Sequence, residues 1–393
     1  MPPEHTLPGD WSALVVFVAG TAWDGNMFPD QHMAIRLARH VPVLYVDPPL
    51  SVLSPRHNPD LRASLEGPRL RLVAPNLARL TPVVLPALGR PGVRMVAERM
   101  LLRAVRRAVR ALRADVDAVV VASQTPAFGM FGERRSVFYA TDDLVAAAQL
   151  IGSSTRWLER CERRIEHSAG TVVVVSDGLR ERWAERHPHV AMIPNGCDVE
   201  LFAGTDDLAY PADVTLPPPI AGFVGHLSDR IDVSILEAVA ATDRSLLLVG
   251  PRQITFDLER VEGLLARPNV QWLGAKPFAS LPGYLRAIDV GLVPYADSAF
   301  NRASFPLKTL EYLAAGRSVV ATDLPAIRWL GTDLVRTVAG ADAFAAAVED
   351  ELDRPRDPFL AAARRDLAAQ HSWDIRAQEF LGVLRRAPDA ERR

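Results

Sequence analysis

Short, uninterrupted apolar runs recur along the whole chain, at residues 14–19, 41–46, 116–122, 172–175, 220–224, 246–249, 270–273, 290–293 and 319–322. A sheet with one wet face would alternate apolar and polar side chains. Continuous runs this short suit strands covered on both faces, which means parallel sheets flanked by helices. Helical stretches separate the runs, as at 30–39 after the first and 233–241 after the fifth, so the repeating unit is β-α-β. At 393 residues the chain is too long for one ordinary core and suits two α/β domains in series. Residues 204–219 are rich in Pro and Asp and contain Pro217-Pro218-Pro219, which reads as a linker. The expected partition is a first domain over 1–205, a linker over 206–219, a second domain over 220–369 and a terminal segment over 370–393.

Composition removes several classes. A net charge of -2 and a pI near 6.5 leave no global basic footprint, so nucleic acid is not expected as a partner. Cys161 and Cys197 are too few for a disulfide framework or a zinc site, and a metal-free cytoplasmic protein is expected. Pro2, Pro3, Glu4 and Asp10 precede the first apolar run, against a secretory pattern, and no stretch approaches about 20 apolar residues. Residues 93–113 carry seven arginines and one acid, Glu98, beside an apolar side of Leu101, Leu102, Val105, Val109 and Leu112. Two readings stand: a solvated face on a helix packed against the sheet, or peripheral docking on the anionic inner face of a membrane, at about 1 kcal/mol per basic residue. Residues 387–393 read as a frayed tail.

Parallel sheets present ligand-facing residues on loops at the carboxyl ends of their strands. The first such loop is Gly20-Thr21-Ala22-Trp23-Asp24-Gly25, and Asp47 ends the next strand. The loop lacks G-x-G-x-x-G, which argues against a dehydrogenase, and leaves Gly20, Trp23 and Asp24 as candidates for binding an acceptor. Asp142 and Asp143 follow another strand. A helix cap explains one of them; the other, with Asp143 favoured, is a candidate to orient or deprotonate a hydroxyl. In the second half, Gly225, His226 and Arg230 occupy the loop after the first strand, and Lys276 follows Gly274 on another. His226 is either a hydrogen-bond donor to phosphate or a structural residue.

The stretch from Ser304 to Gly316 gathers the strongest signals. Ser304 suits an N-cap, Pro306 a first turn, Leu307, Leu310 and Ala314 a helical face, and Gly316 a left-handed end. The free amides at such a helix start form an anion site, and Lys308 adds a full charge beside them. Glu311 lies about 60° round the helix, within reach of a hydroxyl on whatever carries the phosphate. The plainer reading is an i,i+3 ion pair worth a few tenths of a kcal/mol. Only Lys276 and Lys308 are lysines, against 43 arginines, and a rotatable point charge kept at a helix start favours phosphate.

In order along the chain, Asn195-Gly196-Cys197-Asp198 with Phe202, Gly222-Phe223-Val224-Gly225, Leu248-Val249-Gly250-Pro251, Asn269 to Gly274, Asp289 to Pro294 and the stretch after Ser304 resemble family 4 glycosyltransferases of the GT-B fold. The likeness covers about residues 170–325, and Tyr139, Asp142-Asp143 and Pro306 to Ala314 are similar to elements of actinobacterial and teichuronic-acid-type members. The resemblance implies two Rossmann-like doubly wound parallel sheets facing across a cleft. It implies retaining transfer of a sugar from a nucleotide-sugar donor to a glycan, lipid-linked or small-molecule acceptor, without a cofactor or metal. Glu311 would contact the ribose, the amides near Pro306, Leu307 and Lys308 the diphosphate, and the terminal segment would cross back to the first domain. Two departures stand out. The family's paired glutamates lie eight positions apart, and eight before Glu311 the residue is Ala303; the usual phosphate clamp is replaced by Gly225-His226 and Ile231-Asp232 beside Arg230. The alternatives are a nucleotide-sugar epimerase of the same fold, or a scaffold subunit that binds without turnover.

Overall fold

The computed structural model describes residues 11–56, 61–86, 91–253 and 256–386. The N-terminal residues that argued against a secretory pattern and the tail at 387–393 lie outside them. The chain forms two compact units: Met1–Val175 with Leu179–Ile193 and Arg376–Arg393, and Ser176–Gly178 with Pro194–Ile375.

The first unit is built on strands β1 (Leu14–Val18), β2 (Val43–Val46), β3 (Leu70–Ala74), β4 (Leu77–Leu80), β5 (Val116–Val121), β6 (Arg135–Ala140), β7 (Thr171–Val174) and β8 (Val190–Met192), in the order β3-β4-β2-β1-β5-β6-β7-β8. All neighbours are parallel except β3 on β4. The second unit holds β9 (Ile220–Val224), β10 (Ser245–Val249), β11 (Val270–Trp272), β12 (Val290–Val293), β13 (Ser318–Thr322) and β14 (Val335–Val338), ordered β11-β10-β9-β12-β13-β14 and parallel throughout. Strand order reverses between β1 and β5 in one sheet and between β9 and β12 in the other. Such switch points open crevices outside the carboxyl ends of the strands, and the loops after β1 and β9 stand at those places in the two sheets.

Every apolar run read as a strand is one. Strands β3, β4 and β14 were not foreseen, because Leu70–Ala74 is half exposed at a sheet edge, Leu77–Leu80 is a four-residue run interrupted by Arg79, and Val335–Val338 carries Arg336 and Thr337. Buried small and branched residues explain the strong signal elsewhere, since β1, β2, β7, β9, β10 and β12 are buried at every position.

The expected linker is not a free tether. Asp206 is clasped by Arg317 and Arg365, and Asp213 Oδ2 accepts from Lys276 Nζ at 2.6 Å and Tyr284 Oη at 3.0 Å. Gln271 Nε2 donates to the Asp213 carbonyl at 2.8 Å, and Ser245 Oγ to that of Pro217 at 2.6 Å. A composition of Pro and Asp suggested flexibility, but cations on the second unit hold those aspartates, and the segment is part of that unit. The C-terminal helix Trp373–Arg386 joins the first unit from Arg376, where Phe380 packs edge-on to Tyr139 at 5.3 Å.

Helix Pro91–Leu112 buries Ala97, Leu101, Val105, Ala108 and Leu112 and leaves Arg99, Arg103, Arg106, Arg107 and Arg110 exposed. Among the described residues no helix is long and apolar enough to cross a membrane.

Candidate functional site

In the second unit, the central feature is the helix Leu307–Ala314. Tyr312 docks it: its buried hydroxyl accepts from Val224 N at 2.8 Å and lies 3.3 Å from the Gly222 carbonyl it can donate to. Room for the ring exists only because residue 291 in β12 is glycine; a Cβ there would lie 2.4 Å from the ring. The helix ends as the sequence predicts. Gly316 takes φ +75°, its amide donates to Leu313 O, and Arg317 N donates to Tyr312 O, both at 2.9 Å, which closes a Schellman motif.

The other end differs from expectation. Ser304 closes the preceding helix Ala299–Ala303, with Oγ donating to Phe300 O at 3.0 Å, and does not cap Leu307–Ala314. Pro306 stands in the N-cap position, where it offers no side-chain acceptor. The first amides of this helix are therefore left without a side-chain cap. Asn195 Nδ2 fixes the approach by donating to Phe305 O at 3.2 Å, while its buried Oδ1 has no partner among the described residues.

Lys308 and Glu311 meet as the plainer reading foresaw, with Nζ 2.8 Å from Oε2, but the pair is largely buried: 20% of the lysine side chain and 9% of the glutamate side chain are exposed. Burial alone would pull the Lys308 pKa down; the charge and hydrogen bond of Glu311 outweigh it and leave the ammonium held above its ordinary value. Arg230 stands beside Tyr295. Its guanidinium lies over Tyr295 and Phe300, 5.0 and 4.8 Å from the centroids, and Nε donates to Asn301 Oδ1 at 3.1 Å. Buried Asn301 returns its amide to the carbonyls of Arg230 and Ala296, both at 2.8 Å. Asn301 thus fixes both the backbone and the side chain of Arg230, and the two terminal guanidinium nitrogens have no hydrogen bond or ion pair among the described residues.

Gly225 carries the chain out of β9, its amide bound to Val249 O at 2.8 Å, and His226 is exposed beyond it. Partial desolvation, then the Arg230 charge, lowers the His226 pKa and favours the neutral ring. Asp232, at a departure from the family clamp, caps the helix Val233–Ala241 through Ser234 N at 3.0 Å. Ala303 is buried, and its carbonyl accepts from Ser176 Oγ at 2.5 Å. Lys276 does not join this group in the structure: its ammonium is engaged by Asp213 and lies 5.2 Å from the Tyr284 ring centroid.

In the first unit, the loop after β1 is pinned from below. Gly20 N and Thr21 N donate to Asp30 Oδ2 at 2.8 and 3.1 Å, and Trp23 N donates to Asp47 Oδ1 at 2.9 Å. Burial pushes the Asp30 pKa up, against the pull of those amides. Trp23 is half-buried, edge-on to Tyr45 at 4.9 Å. Asp47 and Asp24, both expected to face ligand, share one buried guanidinium: Arg79 Nε donates to Asp47 Oδ2 at 2.7 Å and Nη2 to Asp24 Oδ2 at 2.8 Å. Asp47 is 1% exposed and holds the loop in place. Asp24 stays partly open; burial raises its pKa, but the hydrogen bonds from Arg79 and Ser64 prevail and lower it.

Neither of the two adjacent aspartates caps a helix, because residues 144–152 form turns and the next helix starts at Thr155; Asp143 caps those turns instead. Its Oδ1 accepts from Ala146 N at 2.9 Å and from Arg182 Nη1 at 3.0 Å, while Oδ2 takes no hydrogen bond among the described residues. Asp142 is half-buried beside it. The sequence reading missed Asp30, Arg79, Tyr295, Asn301 and Tyr312. Only Tyr312 had a signal available, as an aromatic one residue from Glu311 on the buried side of a recognised helix.

Residues 218–354 match the family model described as Glycosyl transferases group 1. The chain is similar to TuaH of Bacillus subtilis (strain 168), whose name assigns it to teichuronic acid biosynthesis as a glycosyltransferase, with 29% identity over 270 residues, 64% of this chain and 68% of that protein. Among solved structures it is similar to sucrose-phosphate synthase of Thermosynechococcus elongatus, at TM-score 0.72 and 18% identity over 95% of this chain and 98% of that one. It is likewise similar to HepE of Anabaena, solved with UDP and glucose, at TM-score 0.64 and 15% identity over 94% and 99% of the two chains.

Proposed function

We propose that this chain, which has the GT-B fold and over residues 218–354 is similar to the group 1 glycosyltransferases, moves a sugar from a nucleotide-sugar donor to a hydroxyl of a glycan, lipid-linked or small-molecule acceptor, with retention at the anomeric carbon and without a metal. One observation carries the reading: Lys308, paired with Glu311, stands on the uncapped first turn of a helix, and Arg230 is braced on the neighbouring Tyr295 with its terminal nitrogens unused. The donor diphosphate lies against the amides of Leu307 and Lys308, where the helix dipole and Lys308 hold its charge. Arg230 supplies two further donors, and Gly225 and His226 line the same switch-point loop. As the diphosphate engages Lys308, the carboxylate of Glu311 becomes available to the ribose hydroxyls. In the reaction the bond from the anomeric carbon to the phosphate oxygen breaks as the acceptor oxygen bonds to that carbon on the same face. The acceptor proton leaves to Asp143 Oδ2 or to the departing phosphate. The fixed cations stabilise the charge growing on the leaving diphosphate, which preorganised donors do efficiently.

The acceptor side rests on the first unit, on the loop carrying Gly20, Trp23 and Asp24 and on Asp142 beside Asp143. The exposed arginines of helix Pro91–Leu112 support a reading in which the chain works beside an anionic leaflet, with a lipid-linked acceptor and a peripheral cytoplasmic location. UDP is the nucleotide to test first, because the Anabaena relative was solved with it.

A thermal-shift screen of UDP, GDP, dTDP and ADP with their sugars selects the donor. Turnover of a labelled donor with product analysis follows. Release of nucleoside diphosphate with an α-linked product from an α-donor supports the proposal. Donor epimerised at C2 without transfer points to the epimerase. The scaffold reading draws on Ala303 and the altered clamp, and tight nucleotide binding with no turnover favours it.

A further inference from the structure

At the amino edge of the second sheet, around the residues that precede β9, β12 and β13, lies a cavity of about 640 Å³. It is at the far end of the helix Leu307–Ala314 from Lys308. Seven arginines and five carboxylates line it. Some of these charges are matched: Arg317 and Arg365 clasp Asp206, and Arg356 Nε donates to Asp289 at 2.8 Å. Others are not. The guanidinium of Arg286 makes no hydrogen bond or ion pair among the described residues, and its Nε is buried. Among the described residues, Arg364 has only a long 3.4 Å bond to Gly316 O, and its Nε, like that of Arg365, is buried without a partner.

A guanidinium cannot shed its proton, and each buried N–H left without an acceptor is destabilising by about 1–3 kcal/mol. Arg286, whose terminal nitrogens have no partner among the described residues, and Arg364, with its one long bond, stand on a cavity where arginines outnumber carboxylates seven to five, which suits a ligand that brings acceptor oxygens and negative charge. Phosphate, like carboxylate, matches the planar fork of arginine, and it brings more acceptor oxygens and more charge. The volume falls in the range of about 300–1,000 Å³ that small-molecule sites occupy. We propose that this cavity is a second anion site, which takes a small phosphorylated molecule of sugar-phosphate or diphosphate size through Arg286, Arg364 and Arg365. It is separate from the donor site and does not depend on the glycosyl-transfer reading. Gly316 links the two only by position, since it closes the donor helix and its carbonyl faces Arg364.

Hydrogen exchange on the full-length chain locates the binding, with inorganic pyrophosphate as the probe and sodium chloride of equal ionic strength as the control. Expected is saturable protection of peptides spanning 284–288 and 356–366, with apparent affinity at least tenfold weaker in Arg286→Gln/Arg364→Gln. Protection confined to 225–231 and 304–311 would place pyrophosphate in the donor site alone and overturn the proposal. Equal protection by chloride, or unchanged affinity in the double variant, would overturn it as well. The wild-type exchange map is read first, so it decides the matter even if the double variant fails to fold.

Discussion

Replacing Lys308 tests whether its pair with Glu311 serves stability alone or also the reaction. Lys308→Met keeps most of the side-chain volume and leaves Glu311, 9% exposed, as an uncompensated carboxylate. Breaking a fully buried pair costs about 3–5 kcal/mol, and an exposed pair contributes about 0–1. With a fifth of the lysine side chain in solvent, the expected loss of stability is intermediate, about 2 kcal/mol. Adding Glu311→Gln removes the stranded charge and should return stability to within about 1 kcal/mol of wild type. Turnover should not return. Loss of one preorganised cation at the leaving group corresponds to about 2–4 kcal/mol, or roughly 30- to 1000-fold in kcat/KM. Urea unfolding monitors the first quantity, and release of nucleoside diphosphate from the donor selected by thermal shift monitors the second. Turnover within twofold of wild type in Lys308→Met, or a double variant that regains both stability and rate, would refute the assignment and leave a structural ion pair.

Three further outcomes follow from the same structure. Tyr312→Phe leaves the buried Val224 amide without its acceptor and should destabilise the second unit by about 1–3 kcal/mol, read as a shift in urea midpoint; an unchanged midpoint would mean the 2.8 Å contact contributes little. Burial tends to raise the pKa of Asp206, but hydrogen bonds and charge from Arg317 and Arg365 leave it below its ordinary value. Its contribution is therefore present above the unfolded carboxylate pKa of about 3.9 and is lost as pH falls through the lower folded value. The stability difference between wild type and Asp206→Asn should be constant from pH 5 to 7 and shrink at still lower pH; a difference that grows on acidification would show the sign to be wrong. Vesicle co-sedimentation should rise with acidic lipid content and fall when Arg103, Arg107 and Arg110 become glutamate, whereas indifference to lipid charge removes the membrane reading.

The strand series was legible because two-sided burial demands unbroken apolar runs, and such a demand leaves few alternatives in the sequence. The Schellman end at Gly316 was legible for a similar reason: a left-handed position favours one residue type. What escaped were contacts that depend on tertiary placement. Asn301 and Arg230 lie 71 positions apart and meet only after β12 lies beside β9. Asp24 and Asp47 looked like ligand groups because they end strands, but Arg79, on a strand whose role was not foreseen, draws both into one buried cluster. The same cause misplaced the linker. Its aspartates carry no label in sequence for the partners that hold them, Arg317 and Arg365 on Asp206, Lys276 and Tyr284 on Asp213. Asp142-Asp143 was half legible: a capping aspartate was expected and Asp143 is one, but it closes a run of turns where a helix was expected.

The near-total use of arginine has a practical consequence. Outside the N-terminus, only two side chains in the chain carry a primary amine, and each is engaged by a carboxylate. Acylating reagents attack the neutral amine, which both pairings make scarce. Mass spectrometry after mild acetylation therefore yields two well-separated reporters: Lys276 for the grip on the 206–219 segment and Lys308 for occupancy of the proposed donor cradle. No engineered label is needed to follow either.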